Sequence, residues 1–207
     1  VVPPHSGDAP ILTGLPVRTP FDPMTTADTD PLDAPTAALA AAILEVSRHV
    51  DGESFTAPRW FALARSSELL ASQPGLAALL GDDTAHLVAA DELHLTPIEM
   101  DAAEDIPAPT GTDPGSMDPL AALEYMVWPD LAAGGALAYD LSPGAWQLRE
   151  GVGVEDLPAG QTLRVVVGPL ADGTSWSAVR RPGAEGYVLG AALVPELTSA
   201  LTQTLQP

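Results

Sequence analysis

The chain has 207 residues, and its 28 acidic side chains face only eight Arg and no Lys or Cys, which gives a formal net charge of −20. This charge repels phosphate backbones and anionic membrane surfaces, so neither nucleic acid nor a membrane is an expected partner. Without Cys the chain has no thiol nucleophile, disulfide or zinc–thiolate site, and no apolar run approaches the ~20 residues of a membrane helix. We expect a cytoplasmic protein.

Residues 1–35 are predicted to form an extended or disordered N-terminal tail. Pro and Asp recur there, and the scattered apolar residues are too few to offset the entropy of ordering the chain. Met24 lies inside this tail and is the suspected native start, with the residues before it as an upstream extension. Residues 36–207 are then expected to form a single domain.

The clearest predicted helix is Asp33–Asp51. Its apolar residues recur at spacings of four, three and four, which places them on one stripe, and Asp33 or Thr36 can cap its first turn. His49 falls in the last turn, where a positive charge favours the helix dipole, so we prefer that role to a catalytic one. The stripe consists of Leu39, Ile43, Val46 and Val50.

Short elements are predicted for the region that follows. Asp82–Glu92 is either an acidic loop or a frayed helix, and Pro97 marks an edge or a bend in its strand. The other elements are a strand Pro58–Ala64, a helix from Ser66 or Ser67 to Leu70, a turn or two of helix at Leu76–Leu80, and a strand Leu93–Asp101.

Residues 101–117, rich in Pro and Asp, are predicted to be an internal loop. Asp118-Pro119 then opens a helix that is expected to reach Trp128. A short strand at Ala136–Leu141 and irregular chain over 142–160 follow. A Pro- and Gly-rich connection through Gly190 leads to the closing helix, Leu193–Leu205.

The strongest fold signal is the hairpin Leu163–Arg181. Asp172-Gly173 is a typical two-residue hairpin turn, and this turn predicts that Val167 lies opposite Ala178 and Val165 opposite Arg180. The same register places Arg164 opposite Arg181, a like-charge pair that a bulge near Gly168-Pro169 would relieve.

The order of elements predicts an α+β fold, with an antiparallel or mixed sheet of about five strands and helices packed mainly on one face. A doubly wound α/β sheet is the alternative, but it requires strands and helices to alternate strictly, and the hairpin breaks that alternation.

Side chains that bind metals cluster in one acidic segment, but their spacing matches no common ligand pattern. We therefore interpret the segment as solvated chain, with a metal site as the alternative. These side chains are Asp82, Asp83, His86, Asp91, Glu92 and His94.

Other chemical signals are equally weak. Carboxylates at the start of the internal loop are suited to acid–base work only if burial separates their pKa values, and the serines lack a G-x-S-x-G motif. No dinucleotide or phosphate-loop motif occurs. We assign no catalytic, metal-binding or cofactor-binding residue and expect no cofactor. The residues considered are Glu99, Asp101, Glu104 and Asp105, with Ser66, Ser67 and Ser175.

Residues 24–206 resemble an uncharacterised family of actinobacterial proteins of unknown function. The resemblance implies a similar fold and an intracellular setting, and it implies no activity. The segments that carry it are AAILEVSRHV, PRWFALARSSELL, LTPIE, VWPD with the following Gly pair, RVVVGPLADG and the C-terminal GAALVPELTSALTQTL.

Two functions remain open. The first is a non-enzymatic acidic protein-interaction module, an adaptor or chaperone-like protein that binds a protein partner or a second copy of itself. The alternative is a small-ligand-binding protein or enzyme with a pocket near the 99–117 and 142–160 segments. That pocket would draw on Glu99, Asp101, Tyr125, Trp146 or Arg149.

Overall fold

The computed structural model describes residues 31–53, 55, 57–100, 118–152, 157–158 and 160–206. Residues 1–30 of the predicted tail and the internal loop 101–117 lie outside these ranges. Leu32–Pro207 forms one compact unit. Among the described residues, no helix is long and apolar enough to cross a membrane.

The described residues form six α-helices and six strands, with one turn of 3₁₀ helix at Pro143–Ala145. In chain order they are α1 (Ala34–His49), β1 (Arg59–Arg65), α2 (Ser66–Ser72), α3 (Pro74–Leu80), α4 (Asp82–Ala90), β2 (Leu95–Met100), α5 (Pro119–Leu123), β3 (Ala132–Leu141), β4 (Leu163–Pro169), β5 (Ser175–Arg180), β6 (Val188–Gly190) and α6 (Pro195–Thr204).

The strands form one sheet in the order β2-β1-β3-β4-β5-β6, and every neighbouring pair is antiparallel. The predicted α+β class is confirmed, with six strands instead of about five. The additional strand β6 has three residues, inside the Pro- and Gly-rich connection, and is too short for an alternating pattern. Pro97 lies on the edge strand β2, as its missing N–H group predicts.

Helices cover both faces of the sheet, so the prediction that they pack mainly on one face was wrong. The face under α1, which we call the α1 face, buries Ile43 with Phe61 and Val166, whereas the α6 face buries Leu197 and Leu201 with Val165. The physical reason is that the central strands are apolar on both sides. Six of the seven residues of β4 are buried, and such a strand needs a layer on each face.

The predicted helix stripe is confirmed in α1. Leu39, Ile43, Val46 and Val50 are at most 1% exposed. Asp33 is the residue before the helix, and its Oδ1 accepts a hydrogen bond of 2.8 Å from the backbone N–H of Thr36. Hydrogen bonding to the Thr36 side chain, and then to this backbone N–H group, lowers the pKa of the Asp33 carboxyl. Asp82–Glu92, left open between loop and helix, contains α4.

The hairpin has a three-residue loop, and the predicted two-residue turn was wrong. The backbone N–H of Leu170 donates to the carbonyl of Thr174 at 2.8 Å, and that of Gly173 donates to the carbonyl of Leu170 at 3.0 Å. Gly173 has a φ of 91°, the left-handed conformation expected of a type I turn that ends in a bulge. The one-residue shift puts Val165 opposite Val179 and exchanges the faces of β5.

Arg164 lies opposite Arg180 rather than Arg181. Two arginines therefore face each other across the hairpin, as predicted, but the partner of Arg164 is Arg180. Carboxylates, rather than the predicted bulge, offset the repulsion between the two arginines, because Arg164 pairs with Asp140 of β3 and Arg180 pairs with Asp51 after α1.

α5 ends at Leu123 rather than at the predicted Trp128. After the helix the chain turns so that the indole of Trp128 lies on the backbone of Gly135 in β3, where an added Cβ would collide with the ring. The indole N–H donates to the hydroxyl of Thr204 in α6 at 2.9 Å. Continuing the helix would move Trp128 away from both contacts.

Candidate functional site

The helices α2, α3 and α4 form an excursion between β1 and the edge strand β2. Within it, α2 buries Leu69 and Leu70, whereas α3 and α4 bury no residue. Three leucines of α3 and α4 face solvent, with Leu79 87% exposed, Leu87 75% and Leu80 43%. We call these three side chains the leucine surface.

The charge around the leucine surface has one sign. Between residues 66 and 92 the chain has five carboxylates and no Arg or Lys. Two of them, Asp82 and Asp83, lie in the first turn of α4, where an acidic side chain favours the helix dipole. The remaining three are Glu68, Asp91 and Glu92.

A polar cluster joins the base of this excursion to the sheet. The hydroxyl of Ser66 lies 2.6 Å from His94 Nδ1 and 2.6 Å from Thr96 Oγ1, and its backbone N–H donates to the carbonyl of His94 at 3.0 Å. Ser66 stands where a strand becomes a helix, next to a histidine, which is an arrangement that serine nucleophiles use. It is, however, only 2% exposed and bonded to two side chains, so its position fits an anchor between α2 and β2.

The metal-compatible side chains of this segment do not assemble. His86 lies exposed on α4, whereas His94 is engaged with Ser66. Throughout the part of the chain that the structure describes, no three His, Asp or Glu side chains are grouped as metal ligands.

A second polar group lies between α1 and the edge of the sheet, beside a cavity of about 220 Å³ lined by Glu45, Val46, His49, Phe61, Pro97 and Glu99. Arg59 binds Glu99 through two bonds, Nε to Oε1 at 2.7 Å and Nη2 to Oε2 at 2.6 Å. His49 Nε2 lies 3.4 Å from Glu99 Oε2, so the residue expected to serve only the helix dipole also contacts the sheet.

These contacts set the protonation of Glu99. Burial acts to raise the pKa of its carboxyl, but the hydrogen bonds and charges of Arg59 and His49 outweigh it, so the pKa lies below its ordinary value of 4.5. A carboxyl whose pKa is lower in the folded state stabilises the fold above its ordinary pKa, and this stabilisation is lost as the pH falls through the folded value.

Glu99→Gln is therefore expected to flatten the loss of stability between pH 5 and pH 3, roughly, the region around the ordinary carboxyl pKa. At neutral pH the variant should lose less than about 1 kcal/mol, because Glu99 is 40% exposed and water screens the pair. Urea unfolding at several pH values measures the effect. Glu150→Gln, at an exposed turn, is the control, and an equal change in both variants would contradict the role of the Arg59 pair.

The third group surrounds a cavity of about 230 Å³ at one end of β4 and β5, which we call the arginine cavity. It is lined by Gly52, Glu53, Asp140, Thr162, Arg164, Arg180, Arg181 and Pro182. Arg164 donates to Asp140 at 2.9 and 3.1 Å and to the carbonyl oxygens of Val50 and Glu53. Its guanidinium also lies 4.3 Å from the centre of the Phe55 ring. The hydrogen bonds to Asp140 raise the pKa of Arg164 against the opposing effect of burial.

The family described as PPA1309-like protein matches residues 39–206. The chain belongs to this PPA1309-like family. Its description assigns no activity, which agrees with the unknown function that the sequence resemblance implied. The comparisons with curated proteins and with solved structures found no match.

Several segments that carried the resemblance hold the PPA1309-like fold together. The tryptophan of VWPD packs on the second glycine of the pair that follows it, and Gly168 of RVVVGPLADG leaves room for Ile43 of α1. The C-terminal segment contributes Leu197 and Leu201 to the α6 face. These residues serve packing.

Among the described residues of the alternative ligand site, Glu99 and Trp146 lie on different faces of the sheet in the PPA1309-like chain. Glu99 lies on the α1 face beside His49, whereas Trp146 packs against the core of the α6 face. Trp146 is half-buried. Tyr125 is 51% exposed, and Arg149 is exposed as well. Asp101, Glu104 and Asp105 lie outside the described residues.

The arginine cavity and the leucine surface were both missed by sequence reasoning. The signal for the cavity was the spacing of Arg164, Arg180 and Arg181 at the open end of the hairpin. The carboxylate partners of Arg164 and Arg180 come from β3 and from the turn after α1, so no local pattern links them. Leu79 and Leu80 were assigned to a turn or two of helix, whereas Leu87 lies in the segment left open between loop and helix, and only the structure shows that these leucines are exposed.

Proposed function

We propose that this protein is a cytoplasmic, non-enzymatic interaction module that binds a basic amphipathic segment of a partner protein on its leucine surface. The observation that carries the proposal is the contrast between α3–α4 and the other helices. Every other α-helix of the described chain buries apolar side chains in the core, whereas α3 and α4 bury none and hold Leu79 and Leu87 in solvent.

Energetics support this use of the surface. A fully covered leucine side chain is worth about 1.5–3 kcal/mol relative to an exposed one. Single exposed leucines are common on protein surfaces, but three within nine positions of a segment without buried residues indicate a binding face. Helices of seven and nine residues are also marginal in isolation, so a covering partner would stabilise them.

The charge of the excursion supports a basic partner. The five carboxylates between residues 66 and 92 would attract Lys and Arg beside an apolar stripe, in the manner of helix-in-groove recognition. A second copy of the chain would bring the same leucines with the same carboxylates. Like-charge repulsion therefore favours a basic partner over a homodimer.

The test uses an 18-residue amphipathic peptide of Leu and Lys, labelled for fluorescence anisotropy. We expect saturable binding that weakens at least tenfold in Leu79→Gln/Leu87→Gln, because two apolar contacts are lost while the protein charge is unchanged. The melting temperature of the variant should stay within about 2 °C, since both side chains are exposed in the free protein.

Val127→Gln is the matched control, because Val127 is 81% exposed outside the excursion. A peptide with Glu in place of Lys should not bind. Equal affinity of the double variant and the native protein would overturn the proposal, because electrostatic attraction alone would then explain binding. Sedimentation equilibrium showing a dimer that the double variant abolishes would assign the surface to a second copy.

A further inference from the structure

The arginine cavity holds three of the eight arginines of an acidic protein. The chain has 28 carboxylates and eight arginines, yet three arginines and only two carboxylates line this cavity. Asp51 pairs with Arg180, and counting it gives three carboxylates for the three arginines. The cavity is therefore balanced in charge where the surface elsewhere is strongly negative.

The two facing arginines are held differently. Arg164 uses four of its five N–H groups, two on Asp140 and two on backbone carbonyls, and its side chain is 12% exposed, so it forms a fixed wall. Arg180 is 27% exposed and pairs with Asp51 through Nη1. Its guanidinium lies 5.7 Å from the centre of the Tyr187 ring.

We infer that the arginine cavity binds a small oxyanion of the phosphate class between Arg180 and Arg181, with the Thr162 hydroxyl as a further donor. Guanidinium groups present fixed pairs of N–H donors that match the oxygens of phosphate and carboxylate. A volume of about 230 Å³ lies below the roughly 300–1,000 Å³ of sites for drug-sized ligands, which suits a small ion.

Screening by salt limits the repulsion between a bound anion and the carboxylates far from the cavity. At physiological ionic strength the Debye length is about 8 Å, so carboxylates farther away than this are largely screened. An anion inside the cavity would add a further counter-charge to Arg164 and Arg180, which face each other across β4 and β5 and already pair with Asp140 and Asp51. Binding should therefore stabilise the hairpin.

Isothermal titration with inorganic phosphate at constant ionic strength tests the inference. We expect one saturable site per chain, with affinity weakened about tenfold or more in Arg181→Gln, because charge-assisted hydrogen bonds are lost. Thr162→Val should weaken binding by a smaller factor without any change of charge. Arg149→Gln, which makes the same charge change at an exposed arginine outside the cavity, should stay within twofold.

Absence of saturable binding to the native protein would overturn the inference. So would equal weakening in Arg149→Gln and Arg181→Gln, because the effect would then follow net charge rather than the cavity. If Arg181→Gln does not fold, native-like phosphate affinity of Thr162→Val and of Arg180→Lys together would overturn it, since Lys keeps the charge but lacks the paired donors.

Discussion

Gly134→Ala is expected to lower the free energy of unfolding by about 2–3 kcal/mol, near the upper end of overpacking penalties in well-packed cores. A methyl group at this position in β3 would lie 2.5 Å from the carbonyl oxygen of Pro169 and 2.7 Å from Leu170 Cδ2. The first contact is backbone, which no side-chain rotation can relieve. The bridge between Gly134 and Leu170 would have to open.

Thermal and urea unfolding measure this effect, and the melting temperature should fall by roughly 5–10 °C for a chain of this size. Gly144→Ala is the matched control, because a methyl group there has no atom within 4 Å. Gly168→Ala should be milder than Gly134→Ala, since its nearest contact is the terminal methyl of Ile43, which can move. A loss in Gly134→Ala no larger than in Gly144→Ala would contradict this packing argument.

Arg164→Met is expected to cost about 3 kcal/mol. Breaking one side of a buried ion pair typically costs 3–5 kcal/mol, and the lower end applies because Asp140 is 24% exposed and retains some water. Met keeps much of the length that packs near Phe55 but leaves Asp140 and the carbonyls of Val50 and Glu53 without their donor. The end of α1 should then loosen from the sheet.

A double-mutant cycle with Asp140→Asn isolates the pair from the backbone contacts. We expect the two losses to be non-additive by about 1 kcal/mol or more, because the second change removes an interaction that is already lost. Hydrogen exchange should also rise near Val50, whose carbonyl accepts from Arg164. Arg149→Met is the control for charge removal, and additive losses would show that Asp140 and Arg164 act independently.

Local chemistry was sufficient to predict several elements of the fold. Interactions within a few residues explain the stripe and N-cap of α1, the start of α5 at Asp118-Pro119 and the edge position of Pro97. The α5 cap shows the scale of these interactions, since Asp118 Oδ1 accepts from the backbone N–H of Leu120 at 3.0 Å. Interactions of this range join residues that are close in the sequence, so they can be predicted from it.

The candidate sites were less predictable, because each depends on contacts between distant residues. Arg59 and Glu99 are forty positions apart, and Arg164 lies 114 positions from Val50. The exposure of Leu79 and Leu87 depends on which parts of the fold pack against them. The local sequence of a short helix does not distinguish a buried apolar residue from an exposed one.

Local sequence patterns predict the α+β class, the buried stripe of α1 and the existence of the β4–β5 hairpin, because periodicity and turn residues act over short range. The tertiary structure decided the hairpin register and the placement of helices on both faces of the sheet. A one-residue change in loop length shifts every pair of β5, and the observed register places Val165 opposite Val179 on the α6 face. It also decided that α3 and α4 stay uncovered.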